Sequence, residues 1–200
     1  MRQALKYAGY PQVPVFACWG LEMDAFSLDR ASFVDIIKAI LYGDLLQKVR
    51  NATLPYEKVP GAAERLYEAW MERCTEELMH GSYFKFSHNV RQIVRDFDNL
   101  PLLEGLWKPK VGIVGEILVK YHPVANNHIE EVLIGEGAEV VMPDFADFFL
   151  YMAYDSIVER QLFSGKLKDK MFGQMFISLV EFFRRPMRQA LKKSRRFEAP

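Results

Sequence analysis

The most constraining feature of this chain is the stretch from residue 108 to residue 145, whose pattern predicts a complete βαβ unit. The apolar run Val111 to Val114, bounded by a lysine and a glycine, is typical of a buried parallel strand. Ala138 to Met142, which a proline follows, predicts a second strand. Because such crossovers are right-handed, we expect the two strands to be parallel.

A helix is expected between these strands. Asn126 or Asn127 should open it, since an Asn side chain can accept a hydrogen bond from an N–H of the first helical turn. Gly135 and Gly137 should end it, because glycine tolerates the left-handed conformation of a C-terminal cap.

Any ligand site is expected beyond the carboxyl ends of the strands, where open parallel sheets bind ligands. These ends are residues 115–125 and 143–147. The loop from Glu116 to Asn127 combines an acid, a base, an imidazole and two amides near a helix N-terminus, which suits an anion or a phosphorylated ligand. The alternative is a structured loop whose polar side chains cap backbone groups. The candidate ligand-binding residues are Gly115, Glu116, Lys120, His122, Asn126 and Asn127.

No catalytic or metal-binding residue is predicted. The chain lacks the glycine spacing of dinucleotide binding and of a P-loop, and His122 and His128 have no neighbours at metal-ligand spacing. Asp144 and Asp147 follow the second strand of the unit and could serve acid–base chemistry, but for Asp147 an N-cap of the following helix is the favoured interpretation. Cys18 and Cys74 are expected to be free thiols, since two distant cysteines cannot hold an iron–sulfur cluster.

The fold class predicted is α/β, with a small parallel sheet of Rossmann-like or flavodoxin-like type. About three strands are expected, the first being Val13 to Cys18, together with a large helical insertion and C-terminal helices. Because the chain opens with the end of a helix that leads into a strand, we expect a fragment of a larger protein. The expected segments are a partial α/β element with the first strand (1–27), a helical insertion (28–107), the βαβ core unit with its following helix (108–163) and a C-terminal helix with a basic end (164–200).

Two residues inside predicted helices should disturb them. Gly43 lies within the helical pattern from Leu28 to Ala52 and is expected to mark a break or a close contact. Pro186 is expected to kink or interrupt the last helix. The aromatic segment from Phe145 to Phe163 is expected to be a buried helix.

The composition indicates a cytoplasmic protein that binds neither nucleic acid nor membranes. Lys plus Arg and Asp plus Glu are equal at 26 each, and no run reaches the roughly 20 apolar residues of a membrane span. The basic run from Arg184 to Arg196 could bind phosphate-rich ligands or an acidic partner, although most such runs are solvated helix faces.

Several blocks of the sequence resemble one protein family. They are LYGDLLQKVRNATLPYE (41–57), PGAAERLYE (60–68), IVRDFDNLP (93–101), KPKVGIVGEILVKYHPVANNHIEEVLIGEGAEVV (108–141), PDFADFFLY (143–151) and FFRRPMRQALKKSRRF (182–197). Through these blocks the chain resembles the large proteins related to 2-hydroxyacyl-CoA dehydratase and its activator, the activase-related family. The resemblance covers nearly the whole chain.

The resemblance implies an inner domain of a redox-activation or CoA-thioester system, inactive alone. In such systems an ATP-driven activator with an iron–sulfur cluster passes an electron to an enzyme acting on a coenzyme A thioester. An iron–sulfur cluster and ATP are therefore expected only in the full-length protein, with an acyl-CoA ligand and other domains of the same polypeptide as partners. The alternative is an interaction module, in which helices 60–99 and the basic terminal helix dock against other domains or form a homodimer.

Overall fold

The computed structural model describes residues 6–9, 30–80, 82–103, 105–162 and 165–197. The chain divides into two compact units, residues 1–34 and 35–200. In the first unit, residues 6–9 form the end of a helix and its turn, and a longer helix begins at Arg30. The second unit holds most of the described residues.

Helices make up most of the described chain. In order they are α1 (Arg30–Asn51), a 3-10 turn (Leu54–Tyr56), α2 (Ala62–His80), α3 (Tyr83–Asp98), α4 (Ile117–Tyr121), α5 (Ile129–Gly135), α6 (Phe145–Leu162) and α7 (Leu167–Lys193). Ser82 is the N-cap of α3 and accepts a hydrogen bond from the Lys85 N–H.

Two short strands form the sheet of the described residues, β1 (Lys110–Gly112) and β2 (Glu139–Val141). They are parallel, as the sequence predicts, with Val111 opposite Val140. Gly137, at φ +88°, follows the end of α5 and leads into β2, which is the left-handed position expected of a glycine there.

The predicted three-stranded Rossmann-like or flavodoxin-like sheet is wrong. Helix accounts for about 70% of the described residues and strand for about 5%, and the sheet has two strands. The predicted strand Val13 to Cys18 lies outside the described residues. Strand β1 is also not buried, since Lys110 and Gly112 are exposed and Val111 is only half-buried.

The hydrophobic core explains this outcome, because it is built between helices and not on a sheet. Its largest fully buried side chains come from α1, α2, α3 and α7, namely Leu41, Tyr42, Leu45, Leu46, Val49, Trp70, Phe86, Val90, Ile93, Phe97, Met187 and Leu191. The three- and four-residue spacing of the apolar residues in α1 and α3 therefore packs helix against helix. The βαβ unit adds fewer buried side chains, namely Ala138, Val140 and Met142 in and beside β2.

Three local predictions are also corrected. Helix α1 continues through Gly43, where an added Cβ would meet no atom within 4 Å, so this glycine marks neither a break nor a close contact. Helix α7 continues through the buried Pro186, so the predicted interruption is wrong, while the predicted kink stays a prediction. Helix α6 is not a buried helix, since Ala146 and Ile157 are its buried residues.

Candidate functional site

The candidate residues of the loop from Gly115 to Asn127 bind mainly to their own backbone. Glu116 accepts a hydrogen bond from the Val119 N–H (3.0 Å) and so caps α4. Asn126 donates to the Lys120 carbonyl (3.0 Å) and accepts from the Ile129 N–H (3.4 Å) at the start of α5. These contacts are those of a structured loop.

The remaining candidates are placed in the same local way. His122 accepts from the Ala125 N–H (3.4 Å), and the Lys120 ammonium lies 4.7 Å from the centre of the Tyr121 ring. Gly115 (φ +143°) and Asn127 (φ +56°) hold positive backbone angles. The structure therefore spreads the six candidates along the loop and does not gather them around one cavity.

A cleft lies instead at the carboxyl end of β2. Its volume is about 170 Å³, and it lies in the predicted zone around Pro143. We call it the strand-end cleft. It is lined by Asp44, Gln47, Lys48, Asn51, Ala52, Lys110, Glu139, Val140, Val141, Met142, Pro143, Asp144, Arg196 and Phe197.

Helix α1 supplies one wall of the strand-end cleft through a polar stripe, Asp44, Gln47, Lys48 and Asn51. Residues three and four apart lie on the same side of a helix, so these four side chains face one way. Gln47 donates to Glu130 of α5 (3.1 Å), and Asn51 donates to the same carboxylate. The polar stripe thus joins the helical core to the βαβ unit.

Asp44 binds the N-terminus of α6. Its carboxylate oxygens accept from the N–H groups of Phe145 (2.7 Å) and Ala146 (2.9 Å), although Asp44 is 101 residues from Phe145 in sequence. The side chain that caps α6 is therefore Asp44, and the prediction that Asp147 is the cap is wrong. Burial raises the pKa of Asp44 to about 7, and the Asp144 carboxylate adds to this rise, whereas the two N–H donors and Arg184 oppose it.

Asp144 is the centre of a buried ion-pair network. One carboxylate oxygen lies 2.8 Å from Lys48 Nζ, and the other lies 2.8 Å from a guanidinium nitrogen of Arg184. Arg184 also pairs with Asp147 at 2.9 Å. Asp144 and Arg184 are each only 5% exposed, so both charges depend on these partners. The Arg184 Nε–H is buried without a hydrogen-bond partner.

A second cavity, of about 310 Å³, is lined in part by Asp44, Gln47, Tyr121 and Glu130. Tyr121 donates its hydroxyl proton to the Pro143 carbonyl, which ties the predicted loop to the end of β2. Burial raises the pKa of Tyr121, and Asp44 adds to the shift. Asp44 and Gln47 line both cavities, so the polar stripe borders each of them.

The sequence reasoning missed Asp44, Lys48 and Arg184. A signal was present for the first two, since both interrupt the otherwise apolar pattern of α1 at a spacing of four residues. Arg184 lies inside a basic run that predicts a solvated or docking face, but its side chain is buried beneath that face. Arg185, in contrast, is exposed.

The described residues contain no group of three or more His, Cys, Asp or Glu side chains arranged to hold a metal ion. Cys74 is buried, and burial raises the pKa of its thiol to about 12. A thiol in this environment does not fit the role of a cluster ligand, which must be a thiolate. Within the same residues, no helix has the length and apolar character required to cross a membrane.

Comparisons with protein-family models, with curated proteins and with solved structures found no match. The family interpretation therefore depends on the sequence blocks alone.

Proposed function

We propose that this chain is a ligand-contacting domain of a coenzyme A thioester system of the 2-hydroxyacyl-CoA dehydratase type. In this proposal the strand-end cleft receives a phosphate-bearing part of the ligand, and other segments of the same polypeptide complete the site. The domain has no catalytic role alone. The observation that carries the proposal is the position of three cations, Lys48, Lys110 and Arg196, around a cleft at the carboxyl end of a parallel strand.

The strand-end cleft is lined by three cations and by three carboxylates, Asp44, Glu139 and Asp144, and the proposed anion lies beside Arg196 and Lys110. Arg196 donates to the backbone carbonyls of Phe97 (3.3 Å) and Leu100 (3.1 Å), so these bonds hold its guanidinium without neutralising it. The Lys110 ammonium is about half exposed and lies 3.5 Å from Glu139. With the pKa of Asp44 at about 7, part of the negative charge in the wall is removed at neutral pH.

The size of the strand-end cleft agrees with a partial site. At about 170 Å³ it is smaller than the roughly 300–1,000 Å³ of cavities that enclose a complete small-molecule ligand. A phosphate group is a better match than a whole coenzyme A. The rest of the ligand would lie against other parts of the protein.

An isothermal titration of the chain with coenzyme A tests this proposal. We expect weak binding that the double variant Lys110→Gln, Arg196→Gln reduces by about tenfold, equivalent to about 1.4 kcal/mol. The matched control is Lys58→Gln, Lys85→Gln, which removes the same charge from exposed positions outside the cleft. Binding that is absent in the unmodified chain, or equal in both double variants, would contradict the proposal.

The iron–sulfur cluster and ATP of the family are proposed to bind to other segments. Purified full-length protein should then show the visible absorbance of a cluster, together with binding of ATP or acyl-CoA. If it showed none of these, the assignment to a dehydratase system would fail.

The second candidate function is an interaction module that docks through the basic end of α7. The observation that favours it is the exposure of Arg185, Lys192 and Lys193 on that helix. Arg184 is unsuitable for testing it, because charge reversal there would break the buried network. Arg185→Glu with Lys192→Glu should weaken assembly measured by light scattering, and unchanged association would exclude this surface.

A further inference from the structure

A cavity of about 240 Å³ lies between helices α3 and α7 and shares no lining residue with the strand-end cleft. We call it the α3–α7 cavity. Three cations, Arg91, Arg95 and Lys193, contribute to its wall, whereas Asp98 is the one carboxylate among its lining residues. The complete lining is Arg91, Val94, Arg95, Asp98, Gln189, Ala190, Lys193 and Ser194.

The packing of α3 on α7 brings these charges together. The two helices run side by side in the same direction, since Tyr83 stacks on Phe182 (4.7 Å between ring centres) at the start of α3 and Ser194 donates to Asp98 (2.9 Å) at its end. Arg91 and Arg95 are four residues apart, so they lie on one face of α3. The last turn of α7 supplies Lys193. Residues distant in sequence therefore surround one cavity.

The three cations are without a partner in the part of the chain that the structure describes. Arg91, Arg95 and Lys193 form no ion pair or hydrogen bond there, and none of them stacks on an aromatic ring. The Asp98 carboxylate is bound instead by the Ser194 hydroxyl (2.9 Å) and the Arg195 N–H (3.4 Å). Like charges four residues apart destabilise a helix, and an anion between the two arginines would remove this repulsion.

Capping of the helix ends does not account for these cations. Carbonyls at and just beyond the end of α3 accept from Arg196 (3.3 and 3.1 Å), and carbonyls in the last turn of α7 accept from the Ser194 N–H (3.1 and 3.0 Å). Arg91 lies about two turns before the end of α3, whereas the attraction of a helix dipole for a cation falls off within the last turn.

The lining of the α3–α7 cavity suits a phosphate group. A guanidinium presents its N–H groups in a fork that matches two phosphate oxygens, and an ammonium adds a point charge. All three cations are exposed, so a ligand can reach them from solvent. The cavity is smaller than the roughly 300–1,000 Å³ that encloses a complete ligand, which fits a phosphate with a small attached group. Its lining includes no aromatic side chain on which a nucleic-acid base could stack.

We propose that the α3–α7 cavity binds the phosphate of a small, soluble phosphomonoester, with Arg91, Arg95 and Lys193 as the charged contacts. Such a group carries a charge of about −1.5 to −2 at pH 7, which balances much of the positive charge in the wall. The site is separate from the strand-end cleft and does not depend on the proposed coenzyme A function. It also differs from the docking surface on α7, because α3 supplies two of its three cations.

Isothermal titration with glycerol phosphate at fixed ionic strength tests this proposal. We expect a dissociation constant on the order of 1 mM, because one phosphate group retains little affinity after the cost of association. Arg91→Gln with Arg95→Gln should weaken binding by about tenfold or more, since charged hydrogen bonds are lost. The matched control is Lys58→Gln with Lys85→Gln, which removes the same charge from exposed positions outside the cavity and should weaken binding less than about twofold.

Thermal unfolding without ligand separates binding from a structural role of the arginines. At low salt the Arg91→Gln, Arg95→Gln variant should melt at the same temperature as the wild type or above it, because like-charge repulsion is removed. Four results would overturn the proposal: no binding of glycerol phosphate to the wild type, an equal loss of binding in both double variants, a clearly lower melting temperature of the arginine variant, or binding to vesicles that contain phosphatidic acid without binding to glycerol phosphate.

Discussion

Replacing Asp44 by asparagine tests the role of a single buried carboxyl in the stability of this protein. Asp44 is 5% exposed, and its two oxygens accept the N–H groups of Phe145 and Ala146. Its pKa is about 7, against 3.8 for an ordinary aspartate. Because the pKa in the folded state is the higher one, the folded state favours the protonated carboxyl, and the stability that this supplies is lost as the pH rises through 7.

The size of the effect follows from these two pKa values. Full stabilisation holds below about pH 4, and linkage predicts that about 2.5 kcal/mol is lost between pH 5 and pH 8. For a chain of this length, that corresponds to about 5–10 °C in melting temperature. Asparagine cannot ionise, so the Asp44→Asn variant should lack this component of the pH dependence.

The assay is thermal unfolding of both proteins at pH 5 and pH 8, followed by circular dichroism. Asn retains one acceptor for the two N–H groups, so the variant should be less stable than the wild type at pH 5 by about 1–3 kcal/mol. At pH 8 the difference should disappear or reverse. A stability difference that is the same at both pH values would show that Asp44 is ionised throughout and would refute the reasoning.

Three further predictions concern other buried groups. Arg184→Met should lower the free energy of unfolding by about 3–5 kcal/mol, measured by urea unfolding, because it leaves Asp144 with Lys48 as its one charged partner. Asp147→Asn, at the exposed end of the network, should lower it by less than about 1 kcal/mol. In a Cys18→Ser background, Cys74 should react with a thiol reagent only after addition of denaturant, and rapid reaction of the native protein would show that it is not buried. Gly173→Ala should destabilise the packing of α6 on α7 by about 1–3 kcal/mol, because the added Cβ would meet the Ala153 carbonyl. Gly43→Ala, where the added Cβ meets no atom, should stabilise α1 by about 0.5–1 kcal/mol. Equal effects of the two substitutions in unfolding experiments would contradict the close packing at Ala153.

The elements that the sequence predicts well are those with local signals. Strand β2 follows Gly137, whose backbone is left-handed, as the glycines that end the preceding helix predict. The parallel pairing of β1 and β2 follows from the helix between them. Both signals, the glycine and the helix between the strands, lie within residues 110–141.

The fold class could not be predicted in the same way, because apolar spacing shows which face is buried but not what covers it. The buried residues of α1 have the spacing expected of a helix packed on a sheet, yet their neighbours include Phe86 of α3, which lies 4.8 Å from the Tyr42 ring. The residues around the strand-end cleft could not be predicted from the sequence for a related reason. Asp44 and Asp144 are brought near each other only by tertiary structure, and Arg184 lies 40 residues beyond Asp144 in the chain. No local motif encodes such a set.

The side chains of the polar stripe of α1 both hold the βαβ unit to the helical core and line the strand-end cleft. The βαβ unit is held to the helical core by Gln47 and Asn51 on Glu130, by Asp44 on α6 and by Lys48 on Asp144. Hydrogen bonds of this kind add only about 1 kcal/mol each when formed, but a buried partner left alone costs more. An anion that entered the strand-end cleft would compete with Asp144 for Lys48, and Asp144 would then depend more heavily on Arg184. Ligand binding should therefore change the attachment of the βαβ unit to the core, and the buried Arg184 is the residue that allows this exchange without leaving a carboxylate unpaired.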